Sequence, residues 1–141
     1  EGPDLVIHAH DKILERMNDY VHEMHHRSGL LDEVRESKIS IKDAEEQTLT
    51  FLEEHLGKKY RPPLCGNSIG TDRRFLDSQM NELERRLHYR VVDVTSIKEL
   101  AMRWKPELSE KMPPKMETHR ALDDIIESIE ELKFYREKLF K

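Results

Sequence analysis

The sequence contains little cysteine and no long hydrophobic run. Its 141 residues include one cysteine, Cys65, which argues against a small secreted fold held together by disulfides. No apolar stretch approaches the roughly 20 residues that a membrane-spanning helix needs, so no membrane partner is expected. The chain also shows no internal repeat and no secretory signal pattern. These absences indicate a cytoplasmic protein, and a mitochondrial protein with a transit peptide is the alternative.

Positive charge is not in excess either. The chain has 24 Lys and Arg against 29 Asp and Glu, which gives a formal net charge of -5. Non-specific coating of a nucleic acid duplex needs broad positive charge, so this balance argues against that function class. It remains compatible with the binding of a very short nucleic acid in one local pocket. The charged fraction of 38% indicates a highly solvated surface around the core of one ordinary domain.

Short β-branched segments alternate with helical patterns along the chain. The predicted strands are Leu5–Ile7, Leu64–Gly66 and Val91–Val94, the last of them as a buried strand. Apolar residues at helical spacing predict helices that begin near Asp11, Leu30, Ser40, Asp72, Thr95 and Thr118. The histidine-rich residues 18–29 and the proline-containing residues 105–117 are predicted as loops. Strands that alternate with helices predict an α/β layer fold.

A polar turn follows the second predicted strand, and a helix begins close to Asp72. Side chains at the carboxyl ends of strands line the usual ligand crevice of α/β sheets. Asp72 is therefore a candidate catalytic or metal-binding residue. The alternative is an acid that only caps the helix or sits in its first turn.

A second candidate group lies in the segment from His119 to Asp124. On a helix these two residues would be about 140° and ~7.5 Å apart, so both could border one pocket. Asp124 would lie toward the core, where a carboxylate is costly to bury unless it is paired or binds a metal. Asp123 is predicted to lie on a more exposed face. The alternative for His119 is an ordinary surface histidine.

His22, His25 and His26 suggest a metal site at first sight. Their spacing matches no tetrahedral zinc pattern, and the single cysteine is distant in the chain. A generic histidine-rich metal binder is therefore the weaker hypothesis.

Many short segments, in the right order along nearly the whole chain, resemble the oligoribonuclease family of the DEDDh 3′→5′ exonuclease superfamily. The segments are Glu1–Pro3, Ser28–Leu30, Pro63–Ser68, Asp72–Leu76, His88–Arg90, Val92–Val94, Lys98–Leu100, Arg103–Trp104, His119–Asp124, Glu127–Ser128 and Tyr135–Arg136. The resemblance implies a ribonuclease H-like three-layer fold, in which helices flank a mixed sheet. It also implies a homodimer that removes nucleotides from the 3′ end of very short single-stranded RNAs, down to dinucleotides.

The resemblance further implies two divalent ions, Mg²⁺ or Mn²⁺, held by four carboxylates. Asp72 and Asp124 would be two of the four, and His119 would be the general base. Paired ions can stabilise charge on the attacking and leaving oxygens of a phosphodiester. Hard cations prefer carboxylate oxygens, and a histidine titrates near neutral pH. The substrate-binding residues would be Asn67, Ser68, Arg90, Thr95, Tyr20 and His25. Tyr89 would be a second catalytic residue, near the active site at the dimer contact.

Two departures from the family pattern affect this interpretation. The Asp-x-Glu motif of the family's first strand is absent and would precede Glu1. Residues 1–141 are therefore expected to be one exonuclease domain that holds about three quarters of the family domain and half of its metal ligands. Tyr20 stands where the family usually has a stacking Trp, and Thr95 replaces Ser. The alternatives are a catalytically incompetent dimerisation or interaction module, and a DEDDh exonuclease that acts on longer DNA or RNA.

Overall fold

The computed structural model describes residues 1–112 and 120–140. Its contacts divide the chain into two units. The first unit comprises Glu1–Arg61 and Leu76–Arg86, and the second comprises Pro62–Phe75 and the described residues from Leu87 onward. No helix in these described ranges is long and apolar enough to cross a membrane.

Helices and a short parallel sheet make up the regular structure. In chain order the elements are α1 (Asp11–Leu14), α2 (Asp19–Arg27), α3 (Leu30–Glu36), α4 (Ile41–Leu56), β1 (Pro63–Gly66), α5 (Gly70–Gln79), α6 (Asn81–Arg86), β2 (His88–Asp93), α7 (Val94–Trp104), a 3₁₀ helix (Pro106–Lys111) and α8 (Ala121–Lys138). The predicted α/β class is confirmed. This mostly helical architecture with a parallel sheet is consistent with the ribonuclease H-like fold that the resemblance implies.

In the first unit, α4 follows the expectation from the sequence most closely. The Ser40 side chain accepts a hydrogen bond from the Asp43 amide, and the Asp43 carboxylate accepts one from the Ser40 amide at 2.9 Å. These hydrogen bonds satisfy donors that would otherwise be unpaired at the start of the helix. The helix ends at Gly57, whose φ of +68° is a conformation that residues with a Cβ rarely adopt.

The loop predicted over residues 18–29 is wrong, because α2 occupies most of that range. The Asn18 side chain caps this helix by accepting a hydrogen bond from the Val21 amide at 2.8 Å. Val21 and Met24 lie three residues apart and share its half-buried face, while α2 packs against α3. A cap and two apolar residues were therefore sufficient for a helix in a segment that is otherwise polar.

The strand predicted at Leu5–Ile7 is also wrong, apart from a single parallel bridge between Ile7 and Ile39. The His8 amide donates to the Ile39 carbonyl at 2.8 Å. Pairing cannot continue along the partner segment, because Ser40 follows Ile39 immediately and caps α4.

In the second unit, β1 and β2 pair in parallel, with Leu64 opposite Val91 and Gly66 opposite Asp93. The prediction of a buried strand at Val91–Val94 is only partly right. Val91 and Val92 are 45% and 37% exposed, whereas Val94 begins α7 and is buried. The sheet of the described residues has only these two strands, and both valines, which point to opposite faces of β2, are incompletely covered.

The core of the second unit lies between α7 and α8. Val94, Ala101 and Tyr135 are buried together, each with 2% exposure, and half-buried apolar side chains surround them. The loop predicted over residues 105–117 is wrong for 106–111, which form the 3₁₀ helix packed against α7. Pro106 stands at the start of that helix, where its missing amide donor has no cost. Residues 113–117, like the helix cap predicted at Thr118, lie outside the described residues.

Candidate functional site

The two parallel strands bring their carboxyl ends to the same edge of the sheet. Gly66 ends β1 opposite Asp93, which ends β2. The chain makes a tight turn after Gly66, whose φ is +152°, and Ser68 adopts φ +53°. A Cβ on Gly66 would lie 3.0 Å from the side chain of Ile69, so the turn favours glycine at this position. The turn leads directly into α5, which bears Asp72 in its first turn.

Asp93 joins this turn to the start of α7. Its Oδ1 accepts hydrogen bonds from the Thr95 amide at 2.9 Å and from the Ser68 amide at 3.0 Å. The Ser68 amide also lies 2.9 Å from the Thr95 hydroxyl, and the two hydroxyl oxygens are 3.1 Å apart. Ser68 and Thr95, both predicted to bind substrate phosphate, therefore form a hydroxyl pair that Asp93 holds in place. Sequence reasoning gave Asp93 no role, although a lone acid in a β-branched strand is a usable signal.

Asp72 and Asp124 both line one cavity of the second unit, with a volume of about 760 Å³. Asp72 comes from α5 and Asp124 from the first turn of α8. Asn67 lines the same cavity, and its Oδ1 is buried without a hydrogen-bond partner among the described residues. The volume lies within the range that small-molecule sites usually have.

The exposure predicted for the two adjacent aspartates of α8 is reversed in the structure. Asp124 is exposed and Asp123 is half-buried. The core of α8 is concentrated around Tyr135, whereas Ile125 and Ile129 are 56% and 48% exposed. The apolar stripe near Asp124 is thus not buried, so this carboxylate reaches the cavity without losing its hydration.

Glu131, whose side chain is only 3% exposed, contacts the cavity lining through Asn67. Its Oε2 accepts a hydrogen bond from Asn67 Nδ2 at 3.0 Å, and its Oε1 accepts one from the Tyr135 hydroxyl at 3.3 Å. Lys98 Nζ lies 3.8 Å from Oε1. Burial, together with the negative charge and the hydrogen bond of Glu131, raises the pKa of Tyr135 to about 12.

Tyr89 and Arg90 lie near the start of β2 and are exposed. The Tyr89 ring is 73% exposed, stacks on His88 with 4.5 Å between ring centroids, and has the Arg90 guanidinium 5.4 Å from its centroid. Arg73 of α5 donates to the carbonyl oxygens of His88 and Tyr89 at 3.1 and 3.0 Å. The residue that follows Asp72 therefore ties α5 to the strand that bears this pair.

The remaining predicted site residues lie elsewhere. Tyr20 and His25 belong to α2 in the first unit, where Tyr20 is 71% exposed and His25 Nδ1 is buried without a partner among the described residues. His119 lies outside the described residues. The second unit thus brings together Asp72, Asp124 and Asn67 at one cavity, and Ser68 with Thr95 at the adjacent turn. The substrate and catalytic roles of all these residues stay predictions.

The residues at the cavity fit hard divalent cations in their donor chemistry. Two carboxylates and a buried amide oxygen, which has no partner in the part of the chain that the structure describes, are oxygen ligands of the kind that Mg²⁺ and Mn²⁺ prefer. Within residues 1–112 and 120–140, no group of three or more His, Cys, Asp or Glu is arranged to hold a metal. Two aspartates are half of the four carboxylates that the resemblance implies.

The chain is similar to known proteins over nearly its whole length. The family model described as Exonuclease, RNase_T, matches residues 1–132. Proteins named oligoribonuclease from Corynebacterium efficiens, Streptomyces griseus and Vibrio parahaemolyticus are 53%, 52% and 52% identical over 99–100% of this chain. The chain spans 63% of the length of the first relative, 69% of the second and 77% of the third. The chain therefore belongs to the exonuclease family.

Proposed function

We propose that this chain forms most of a metal-dependent 3′→5′ exoribonuclease that degrades very short single-stranded RNAs to mononucleotides. The observation that supports it most is the shared cavity of Asp72 and Asp124, two acids far apart in the sequence. The relatives named oligoribonuclease support the substrate class. The whole protein's activity on dinucleotides and slightly longer RNAs follows from these two lines of support.

Asp72 and Asp124 would hold divalent cations, Mg²⁺ or Mn²⁺, and would supply two of the four carboxylates that the family resemblance implies. When bound, such ions offset the negative charge that develops on the oxygens of a phosphodiester during hydrolysis. Asp124 suits this role because it is exposed in the first turn of α8 and lines the same cavity as Asp72. His119 takes the proton from the attacking water, a role that a group titrating near neutral pH can fill.

The hydroxyl pair of Ser68 and Thr95, together with the Arg90 guanidinium, binds a phosphate of the substrate. Hydroxyl groups held 3.1 Å apart can both donate to phosphate oxygens, and Asp93 keeps them in place without a rearrangement on binding. Asn67 contacts the substrate beside this pair. Tyr20 and His25 keep their predicted substrate-binding roles, Tyr20 by stacking of its exposed side chain on a base. A site that closes around a terminal phosphate would exclude longer chains and so favour dinucleotides.

The protein acts as a homodimer in this proposal, with Tyr89 at the contact between the subunits. The 73% exposure of the Tyr89 ring, beside a guanidinium, fits a side chain that gains a partner on assembly. Size-exclusion chromatography with light scattering on wild-type protein and on Tyr89→Ala tests the assembly. A monomeric wild-type protein would refute it.

The test of the activity measures hydrolysis of a 5′-labelled dinucleotide by the full-length protein in Mg²⁺ or Mn²⁺. Asp72→Asn and Asp124→Asn should each lower turnover by at least about a hundredfold, because each removes a charged ligand and preserves the side-chain shape. His119→Ala should lower turnover by about 10²–10⁴-fold. Asp77→Asn, on the same helix as Asp72, is the matched control and should retain wild-type turnover.

Wild-type turnover in all three site variants would refute the proposal. A folded wild-type protein that hydrolyses no oligonucleotide would favour the dimerisation or interaction module instead. Comparison of a dinucleotide with a 20-nucleotide RNA or DNA separates the proposed substrate from the alternative of longer nucleic acids. Faster turnover on the longer substrates would favour that alternative.

A further inference from the structure

Glu131 is a buried acid for which the proposed chemistry has no direct use. It lies on α8 seven residues after Asp124, about two turns farther along the same face of the helix. A carboxylate with 3% exposure is costly unless its oxygens have partners. Glu131 has them in Asn67, Tyr135 and Lys98. The carboxylate is therefore part of a satisfied polar network inside the second unit.

Only one of these partners lies outside the core packing of α7 and α8. Asn67 follows β1 directly and belongs to the turn that leads into α5, so its 3.0 Å hydrogen bond joins that turn to α8. Asp72 stands at the start of α5, and Asp124 stands at the start of α8. The hydrogen bond between Glu131 and Asn67 thus links the two elements that present the cavity's aspartates.

The hydrogen bond also fixes the orientation of the Asn67 amide. Because Nδ2 donates to Glu131, Oδ1 must occupy the other position, where it is buried without a partner among the described residues. An acceptor of this kind in the lining of a cavity can bind a cation or a water molecule held by a cation. An apolar residue at position 131 would leave the amide free to rotate.

We propose that Glu131 is a positioning residue that sets the cation affinity of the cavity through Asn67. It holds α8 and the turn after β1 at a fixed separation, so that Asp72 and Asp124 face the same cations. This inference rests on the proposed function, since it concerns the same cations. Glu131 itself contacts neither the cations nor the substrate.

The test is a titration of the metal-free, full-length protein with Mn²⁺ alone, followed by the loss of the electron paramagnetic resonance signal of free Mn²⁺. Glu131→Leu and Asn67→Ala should each weaken Mn²⁺ binding at least tenfold. The double variant should be no weaker than the weaker single variant, because both changes remove the same hydrogen bond. Glu131→Gln keeps an oxygen that can accept from Asn67, and it should stay within threefold of the wild type.

A matched control is Glu130→Gln, which alters the neighbouring exposed acid that pairs with Lys133. It should bind Mn²⁺ as the wild type does. Unfolding midpoints measured without metal show which variants are folded at the assay temperature. Glu131→Leu and Asn67→Ala should bind Mn²⁺ more weakly even when they are folded. If Glu131→Leu does not fold, Asn67→Ala and Glu131→Gln still decide the matter.

Three results would overturn the inference: wild-type Mn²⁺ affinity in Asn67→Ala or in folded Glu131→Leu, additive losses in the double variant, or a tenfold loss in Glu131→Gln. Asp72→Asn and Asp124→Asn, measured in the same way, should both lose Mn²⁺ binding. A wild-type protein that binds no Mn²⁺ would overturn both the inference and the proposed function. A wild-type protein that binds Mn²⁺ and hydrolyses dinucleotides, with affinity unchanged in Glu131→Leu, would overturn the inference alone.

Discussion

Alkaline pH should destabilise the folded protein through Tyr135. The side chain is 2% exposed, and its hydroxyl donates to Glu131 at 3.3 Å and to the Met112 sulfur at 3.0 Å. Ionisation would place a second negative charge beside Glu131 in the core and would remove the proton that makes both hydrogen bonds. For these reasons the pKa of Tyr135 rises from an ordinary value of 10.0 to about 12 in the folded protein.

The sign and size of the effect follow from linkage between ionisation and folding. A folded-state pKa that is raised above the unfolded value favours folding fully below pH 10, and this contribution is lost as the pH rises through about 12. The difference between the two pKa values corresponds to about 3 kcal/mol in the free energy of unfolding. The loss should be concentrated between pH 10 and pH 12.

Urea unfolding at a series of pH values from 8 to 12 measures this free energy in wild-type protein and in Tyr135→Phe. At pH 8 the variant should be less stable by about 1–2 kcal/mol, because Glu131 loses a donor. Between pH 10 and pH 12 the wild type should lose about 2 kcal/mol more than the variant, since phenylalanine has no proton to lose. Tyr60→Phe, a change at a ring that is 57% exposed, should follow the wild-type curve. Parallel curves for wild type and Tyr135→Phe would refute the reasoning.

Two further predictions concern a helix cap and the turn before the site. Ser40→Ala should lower the free energy of unfolding at pH 7 by about 1 kcal/mol in urea titrations, and equal stability of variant and wild type would contradict the cap. Hydrogen bonds from Ser40 lower the pKa of Asp43, so the contribution of this pair to the free energy of unfolding is present above about pH 4 and is lost as the pH falls further. An equal effect of Ser40→Ala at pH 7 and pH 2 would refute that coupling. Gly66→Ala should lower the melting temperature by several degrees, because its Cβ would lie 3.0 Å from Ile69 at φ +152°. Gly70→Ala, where a Cβ meets nothing within 4 Å, is the control and should not lower it.

The parts of the fold that could be predicted are those with local signals. The helix α4 was predictable because Ser40, Asp43 and Gly57 mark its ends within the segment itself. The helix α2 was hard to predict because its polar composition is typical of a loop, and the Asn18 cap alone is a weak signal. The strand at Leu5–Ile7 failed for a different reason. A strand needs a partner strand, and the residues Leu5–Ile7 themselves do not show that their partner segment ends at Ile39.

The residues of the candidate site likewise divide into those with a local sequence signal and those without one. Asp72 could be proposed because it follows a strand and a small-residue turn, and Asp124 because of its distance from His119 and the resemblance to a family. The contact between Asn67 and Glu131 joins residues that are 64 apart in the chain, and the sequence around neither residue indicates it. Glu131 has the sequence context of a surface acid on an amphipathic helix. Only the burial of its side chain distinguishes it from the exposed Glu130 beside it.

The two halves of α8 lie in different environments, because its first turn is exposed and its second half is partly buried in the core. In the proposed function Asp124 binds cations, and its exposure leaves the carboxylate accessible to them. An exposed first turn is also the part of a helix that frays most readily. The buried half of the helix is held by the hydrogen bonds of Glu131 to Asn67 and Tyr135. Because α8 is continuous from Ala121 to Lys138, the inferred role of Glu131 requires that these contacts, made two turns away, set the position of Asp124.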